Sequence, residues 1–311
     1  MSTSMNPPVE QELEPPNPPR RGLRKGLYLI PSLFTAANIG MGFFSVMASL
    51  RAFQLLAGPN PDLVSAAVRF DQAAIAIGFA LLFDMLDGRI ARMTKTTTEI
   101  GIQLDSIADV VTFGLAPAVL AYVWGYGASL TEGTNLHQLS WFISFMYLMC
   151  GAFRLARFNV QASRPRVVAA GAVKTDKKSF VGLPIPVAGG LIAAIVHFAP
   201  MPLIGYGAER ARLFSGLLMA LVGLLSLMMV STLRFSSFKT VGTRSRSMRT
   251  IIPTLGIGGL IFLYSQYVLL ALCLAYIFHG LFSKLIGFVF RRGDSTETKI
   301  ETQPISDSSG H

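Results

Sequence analysis

The chain has 311 residues, of which 51% are hydrophobic and only 14% charged, with a formal net charge of +10. An ordinary soluble domain carries about a quarter charged residues, so this composition excludes a typical soluble fold and points to an all-α, polytopic membrane protein. The basic excess flanks apolar runs, which argues against nucleic-acid binding. Both cysteines, Cys150 and Cys273, lie inside apolar runs and suggest neither a disulfide framework nor a zinc site.

In chain order, residues 1–26 form a Pro-rich, basic arm. It has no apolar core of its own, so it is not read as a cleaved signal peptide, and its composition predicts disorder. Residues 27–290 form the membrane domain, and residues 291–311 a polar tail, also predicted disordered. Eight apolar stretches predict about eight transmembrane helices: Tyr28–Leu50, Ala73–Leu86, Ile107–Tyr126, Trp141–Phe158, Pro184–Phe198, Leu213–Thr232, Ile251–Tyr264 and Tyr267–Phe290. The boundary between the last two is weak, and seven spans is the alternative. With eight, 23 of the 27 lysines and arginines fall on one side. By the positive-inside rule both termini then face the cytoplasm, which suits a multi-pass protein of the cell (inner) membrane.

The second and third stretches meet at an acidic motif. It reads Asp84-Met-Leu-Asp87-Gly88-Arg89-Ile-Ala91-Arg92, eight residues, then Gly101-Ile-Gln-Leu-Asp105-Ser-Ile-Ala-Asp109. Carboxylates at a bilayer rim are costly and need a cationic partner. Spacings of three, four and seven put Asp84, Asp87, Gly88 and Ala91 on one helix face. Gly101, Asp105 and Asp109 repeat every fourth residue on the next helix. A short hairpin would pool the four acids, and the small residues leave room for a substrate or a partner helix. All-oxygen donors suit Mg²⁺ or Mn²⁺. Two such ions can clamp a phosphate, a fourth carboxylate can take a proton, and Arg92 can neutralise phosphate oxygens. The competing reading is an ion or proton pathway.

The string from Asp84 to Asp109 resembles the signature of the CDP-alcohol phosphatidyltransferases. That resemblance implies a helical membrane fold, commonly a homodimer, with a cytoplasmic active site where an alcohol attacks the lipid-bearing phosphate of a CDP-lipid and CMP leaves. By motif position it makes Asp84, Asp87, Asp105 and Asp109 the metal-site residues, with Asp109 the general base. Gly88, Ala91, Arg92 and Gly101 would accommodate the CDP moiety.

Four further stretches are similar to the integral-membrane bacterial phosphatidylserine synthases: Ile30–Gly40, Gly151–Asn159, Phe180–Pro186 and Val230–Lys239. They imply CDP-diacylglycerol and L-serine as substrates, the other acceptors being choline or glycerol phosphate. The third stretch has Ile185 where a hydroxyl residue is expected. A serine pocket needs a cation for the carboxylate, and Arg154 or Arg157 is the candidate. Either can equally be a headgroup anchor. Thr35 and Asn38 are candidate CDP contacts, or else helix–helix hydrogen-bonding groups. Gly182 and two prolines predict a bent entry to the fifth stretch. His197 and His279 read as structural. Trp124, Trp141, Tyr122 and Tyr126 read as an aromatic belt.

Overall fold

The computed structural model describes residues 21–94, 99–163, 180–231, 234–235, 260 and 263–279. It is a helical bundle. Helix α1 spans Arg21–Leu56, α2 Leu63–Thr94 and α3 Glu99–Gly127. Then come α4 (Asn135–Ser163), α5 (Ile185–Phe198), α6 (Ala208–Val230) and α7 (Leu263–His279). Five of these, α1, α2, α3, α4 and α6, are long and apolar enough to cross a membrane, while α5 and α7 are shorter apolar helices. The first six predicted stretches each fall on one of α1 to α6. Most of the seventh, Ile251–Tyr264, and the end of the eighth lie outside the described residues. Helices α1 to α4 run further at both ends than their apolar stretches do, because their polar ends continue the backbone hydrogen bonding.

Helices α1 and α2 pack along much of their length. Both bury small residues, Ala48 and Ala52 on α1 and Ala66, Ala73 and Ala80 on α2, which lets neighbouring backbones approach. Asp62 caps α2: its Oδ1 accepts the Ser65 N–H at 3.0 Å, a standard way to satisfy a first-turn donor.

Helix α3 is the irregular one. It contains two π-helical segments, Val110–Leu115 and Tyr122–Gly127. The carbonyl of Phe113 accepts the Tyr147 hydroxyl at 3.0 Å, and that of Gly125 accepts the Ser215 hydroxyl at 2.8 Å. Side chains from α4 and α6 thus satisfy carbonyls in the widened turns, which the membrane interior requires. Such segments often mark functional sites, and the first begins directly after Asp109.

The bent entry to α5 is present. Gly182 has φ +89°, and a side chain there would run into the Met229 carbonyl. Pro184 then starts the helix in an extended conformation. Beside it, Phe180–Val181 pairs antiparallel with Arg234–Phe235, which joins the third and fourth sequence stretches named above.

The aromatic belt is corrected. Trp124 and Tyr126 are buried, and of the four only Trp141 is largely exposed. Their polar tips find protein partners instead of the membrane interface: Trp124 Nε1 donates to the Met201 carbonyl, Tyr126 pairs with Ser144 and Tyr122 with His137.

His197, at the end of α5, bonds Asp71 of α2 through Nδ1 and Ser265 of α7 through Nε2. This polar network ties three helices together at the end of the bundle opposite the acidic motif. Ser231 closes α6 at the motif end.

Candidate active site

The hairpin between α2 and α3 brings the acids together. Asp84 comes from the last turns of α2, Asp105 and Asp109 from the first turns of α3. One carboxylate oxygen from each lies within 4.8 Å of the others. Asp109 is buried, and it feels the charges of Asp84, Asp105 and Asp87. Asp87 stands one helical turn beyond Asp84 and is 4% exposed. It is outside the converging trio, and its Oδ2 accepts a hydrogen bond from Thr35 Oγ1 at 3.1 Å.

Like charges packed this closely repel strongly in a low-dielectric setting. Asp105 Oδ1 and Asp109 Oδ1 are buried with no hydrogen-bond partner. Buried carboxylate oxygens in that state call for a cation. The donor set is all oxygen, which fits a hard divalent metal.

A cation, Arg154 of α4, stands close enough to the trio for its charge to reach Asp109. It is half-buried, and its Nε has no hydrogen-bond partner. Arg157 lies on the same helix, also half-buried. Of the pair, Arg154 is the one turned toward the acids. Asn159 Nδ2 donates to Ser106 Oγ at 2.8 Å, fastening α4 to α3 beside Asp105.

Gly88 lies on α2 with Asp84 and Asp87, and Gly101 is exposed on the first turn of α3. Ala91 and Arg92 belong to α2, but their side chains are outside the described set. Asn38 is 0% exposed, and neither its Oδ1 nor its Nδ2 has a partner. Its backbone carbonyl accepts Thr112 Oγ1 at 3.1 Å, across the α1–α3 contact.

One residue at the site escaped the sequence reading. Tyr276 of α7 is half-buried and within electrostatic range of Arg154. A single tyrosine in an apolar run gives no signal of this.

Fold and site together define a class: a polytopic α-helical membrane protein with a carboxylate centre at one rim. A family model described as CDP-alcohol phosphatidyltransferase matches residues 28–228. The CDP-diacylglycerol–serine O-phosphatidyltransferase of Helicobacter pylori is 32% identical over 221 residues, covering 69% of this chain and 75% of that protein. The protein of the same name from Saccharomyces cerevisiae is 34% identical over 164 residues, 52% of this chain and 51% of its own length. That from Bacillus subtilis is 32% identical over 167 residues, 54% and 76% respectively. The chain belongs to the CDP-alcohol phosphatidyltransferase family and is a phosphotransferase of the membrane. The family generally uses a divalent metal.

Proposed function

We propose that the chain is a CDP-diacylglycerol–serine O-phosphatidyltransferase, converting CDP-diacylglycerol and L-serine to phosphatidylserine and CMP. The observation that carries this is the convergence of Asp84, Asp105 and Asp109 with Arg154 beside Asp109. Asp84, Asp87, Asp105 and Asp109 would hold Mg²⁺ or Mn²⁺, two ions in this reading, and the bound metal supplies positive charge to the pyrophosphate. Asp109 accepts the proton of the serine hydroxyl on its carboxylate. The hydroxyl oxygen bonds to the phosphorus that carries diacylglycerol, the bond from that phosphorus to the CMP oxygen breaks, and CMP leaves. Arg154 pairs with the carboxylate of serine, a task its guanidinium fork suits. Gly88, Ala91, Arg92 and Gly101 make room for the CDP group. Both substrates meet at a membrane rim, so the lipid is already confined beside the site.

The proposed setting is the cell membrane, with both termini and the acids on the cytoplasmic side and a catalytic domain at 27–290; residues 21–26, expected to belong to the disordered arm, are instead the first turns of α1. The family resemblance adds a homodimer, which cross-linking in native membranes tests. The decisive assay is CMP release by purified protein given CDP-diacylglycerol and a divalent metal, with and without L-serine. Serine-dependent release is expected. Release driven by choline or glycerol phosphate instead would move the protein to another acceptor within the family. Metal flux into liposomes with no CMP release would remove the enzymatic reading.

A further inference from the structure

We infer that Thr35 is a positioning residue of the carboxylate centre and not a contact to the nucleotide. The inference rests on the metal-centre reading above. Three of the motif acids converge, and Asp87 does not join them by its own helix position. Asp84 and Asp87 are three residues apart, so their Cα–Cβ vectors diverge by about 60° around α2. What Asp87 has is a donor from another helix. Thr35 Oγ1 donates to Asp87 Oδ2 at 3.1 Å, with the two residues 6% and 4% exposed.

A hydroxyl has one hydrogen to donate. Donated to Asp87, that hydrogen is not donated to a phosphate oxygen. On Asp87, it offsets part of the negative charge and fixes the carboxylate rotamer, with one oxygen anchored. Outer hydrogen bonds of this kind orient metal-binding carboxylates, and their loss typically weakens metal affinity about 10–100-fold. Threonine suits the task because its branched side chain is stiff at χ1.

The rest of α1 supports the same role. One turn deeper, the Asn38 carbonyl accepts Thr112 Oγ1 at 3.1 Å, three residues after Asp109. Deeper again, Gly42 lets α1 touch the Thr112 backbone. Helix α1 thus touches both acid-bearing helices, and Thr35 contacts one of the acids themselves.

The test uses the full-length chain purified in detergent. Mn²⁺ binding is followed by the electron paramagnetic resonance of free Mn²⁺, and KM for CDP-diacylglycerol is measured at saturating metal. Thr35→Val keeps the shape and removes the donor; Thr35→Ser keeps the donor. The expected result is Mn²⁺ affinity about 10–100-fold weaker in Thr35→Val, largely restored in Thr35→Ser, with KM for CDP-diacylglycerol unchanged. Wild-type Mn²⁺ affinity in Thr35→Val with a raised KM would overturn the inference and return Thr35 to the nucleotide. A Thr35→Ser variant as weak as Thr35→Val would overturn it too, because the hydroxyl would then not be the cause. Failure of the underlying reading looks different: the wild-type chain itself, and Asp109→Asn with it, would show no Mn²⁺ binding.

Discussion

Replacing Gly42 by alanine probes how the site is held. A Cβ on Gly42 would sit 2.9 Å from Thr112 Cα and 3.0 Å from Thr112 Cβ, where carbon atoms prefer about 3.5–4.0 Å. The nearest obstacle is Thr112 Oγ1 at 2.5 Å, the group that bonds the Asn38 carbonyl, and because Thr112 Cα and Cβ stand directly behind it, turning the hydroxyl away does not clear the space. Overpacking of this kind costs about 1–3 kcal/mol. Pushing α1 from α3 also strains the Thr112–Asn38 hydrogen bond, and interhelical bonds in membranes average about 0.6 kcal/mol. Offset by up to about 1 kcal/mol from alanine's better helix propensity, a net loss of about 1–3 kcal/mol follows. Thermal or denaturant unfolding of the detergent-solubilised protein reads it directly. Gly40 provides the internal control: it lies two residues earlier on α1, and a Cβ there meets nothing within 4 Å. Gly40→Ala should be neutral or slightly stabilising, since alanine favours helix over glycine by up to about 1 kcal/mol. If Gly42→Ala proves as stable as Gly40→Ala, the close approach of α1 and α3 is not a determinant of this fold.

Asp109→Asn should lower CMP release by about 10²–10⁴-fold, the usual contribution of a general base, while the helical far-UV spectrum is retained. Arg154→Lys keeps the charge but loses the planar fork; KM for L-serine should rise while KM for CDP-diacylglycerol holds, and the reverse pattern would place Arg154 on the nucleotide side. His197→Ala removes two interhelical hydrogen bonds, to Asp71 and Ser265. At about 0.6 kcal/mol each, a stability loss of at least about 1 kcal/mol is expected in unfolding assays, together with faster proteolysis around α7.

The acidic motif was legible because its cost is visible in one dimension. Carboxylates next to apolar runs need a reason, and helical spacing says which of them share a face. The division of labour among the acids was not legible. Asp87 reads as equivalent to Asp84, and only the fold shows that Thr35, 52 residues away, claims one of its oxygens. Arg154 and Arg157 were indistinguishable for a related reason: at a spacing of three, either can face the cavity until the tilt of α4 is known. The aromatics failed differently. Trp124 and Tyr126 have the apolar body and polar tip of belt residues, but that same shape serves a buried position once Met201 and Ser144 supply partners. The π segments of α3 left no trace, because an apolar helix looks the same at either pitch when all its faces are covered.

The family match ends at residue 228, and every carboxylate of the centre lies within it. The site does not end there. Helix α7 begins at Leu263, is fastened at one end to His197 through Ser265, and at the other brings Tyr276 into range of Arg154. Cys273, between them, lies against Gly190 of α5. The helix therefore spans from the polar network at the far rim to the cation beside Asp109. A chain cut after residue 228 would keep all the metal-binding groups. It would lose one hydrogen-bond partner of His197 and the tyrosine within electrostatic range of Arg154. The acidic motif alone is thus not the whole site, because the arginine's surroundings depend on a helix that carries no motif.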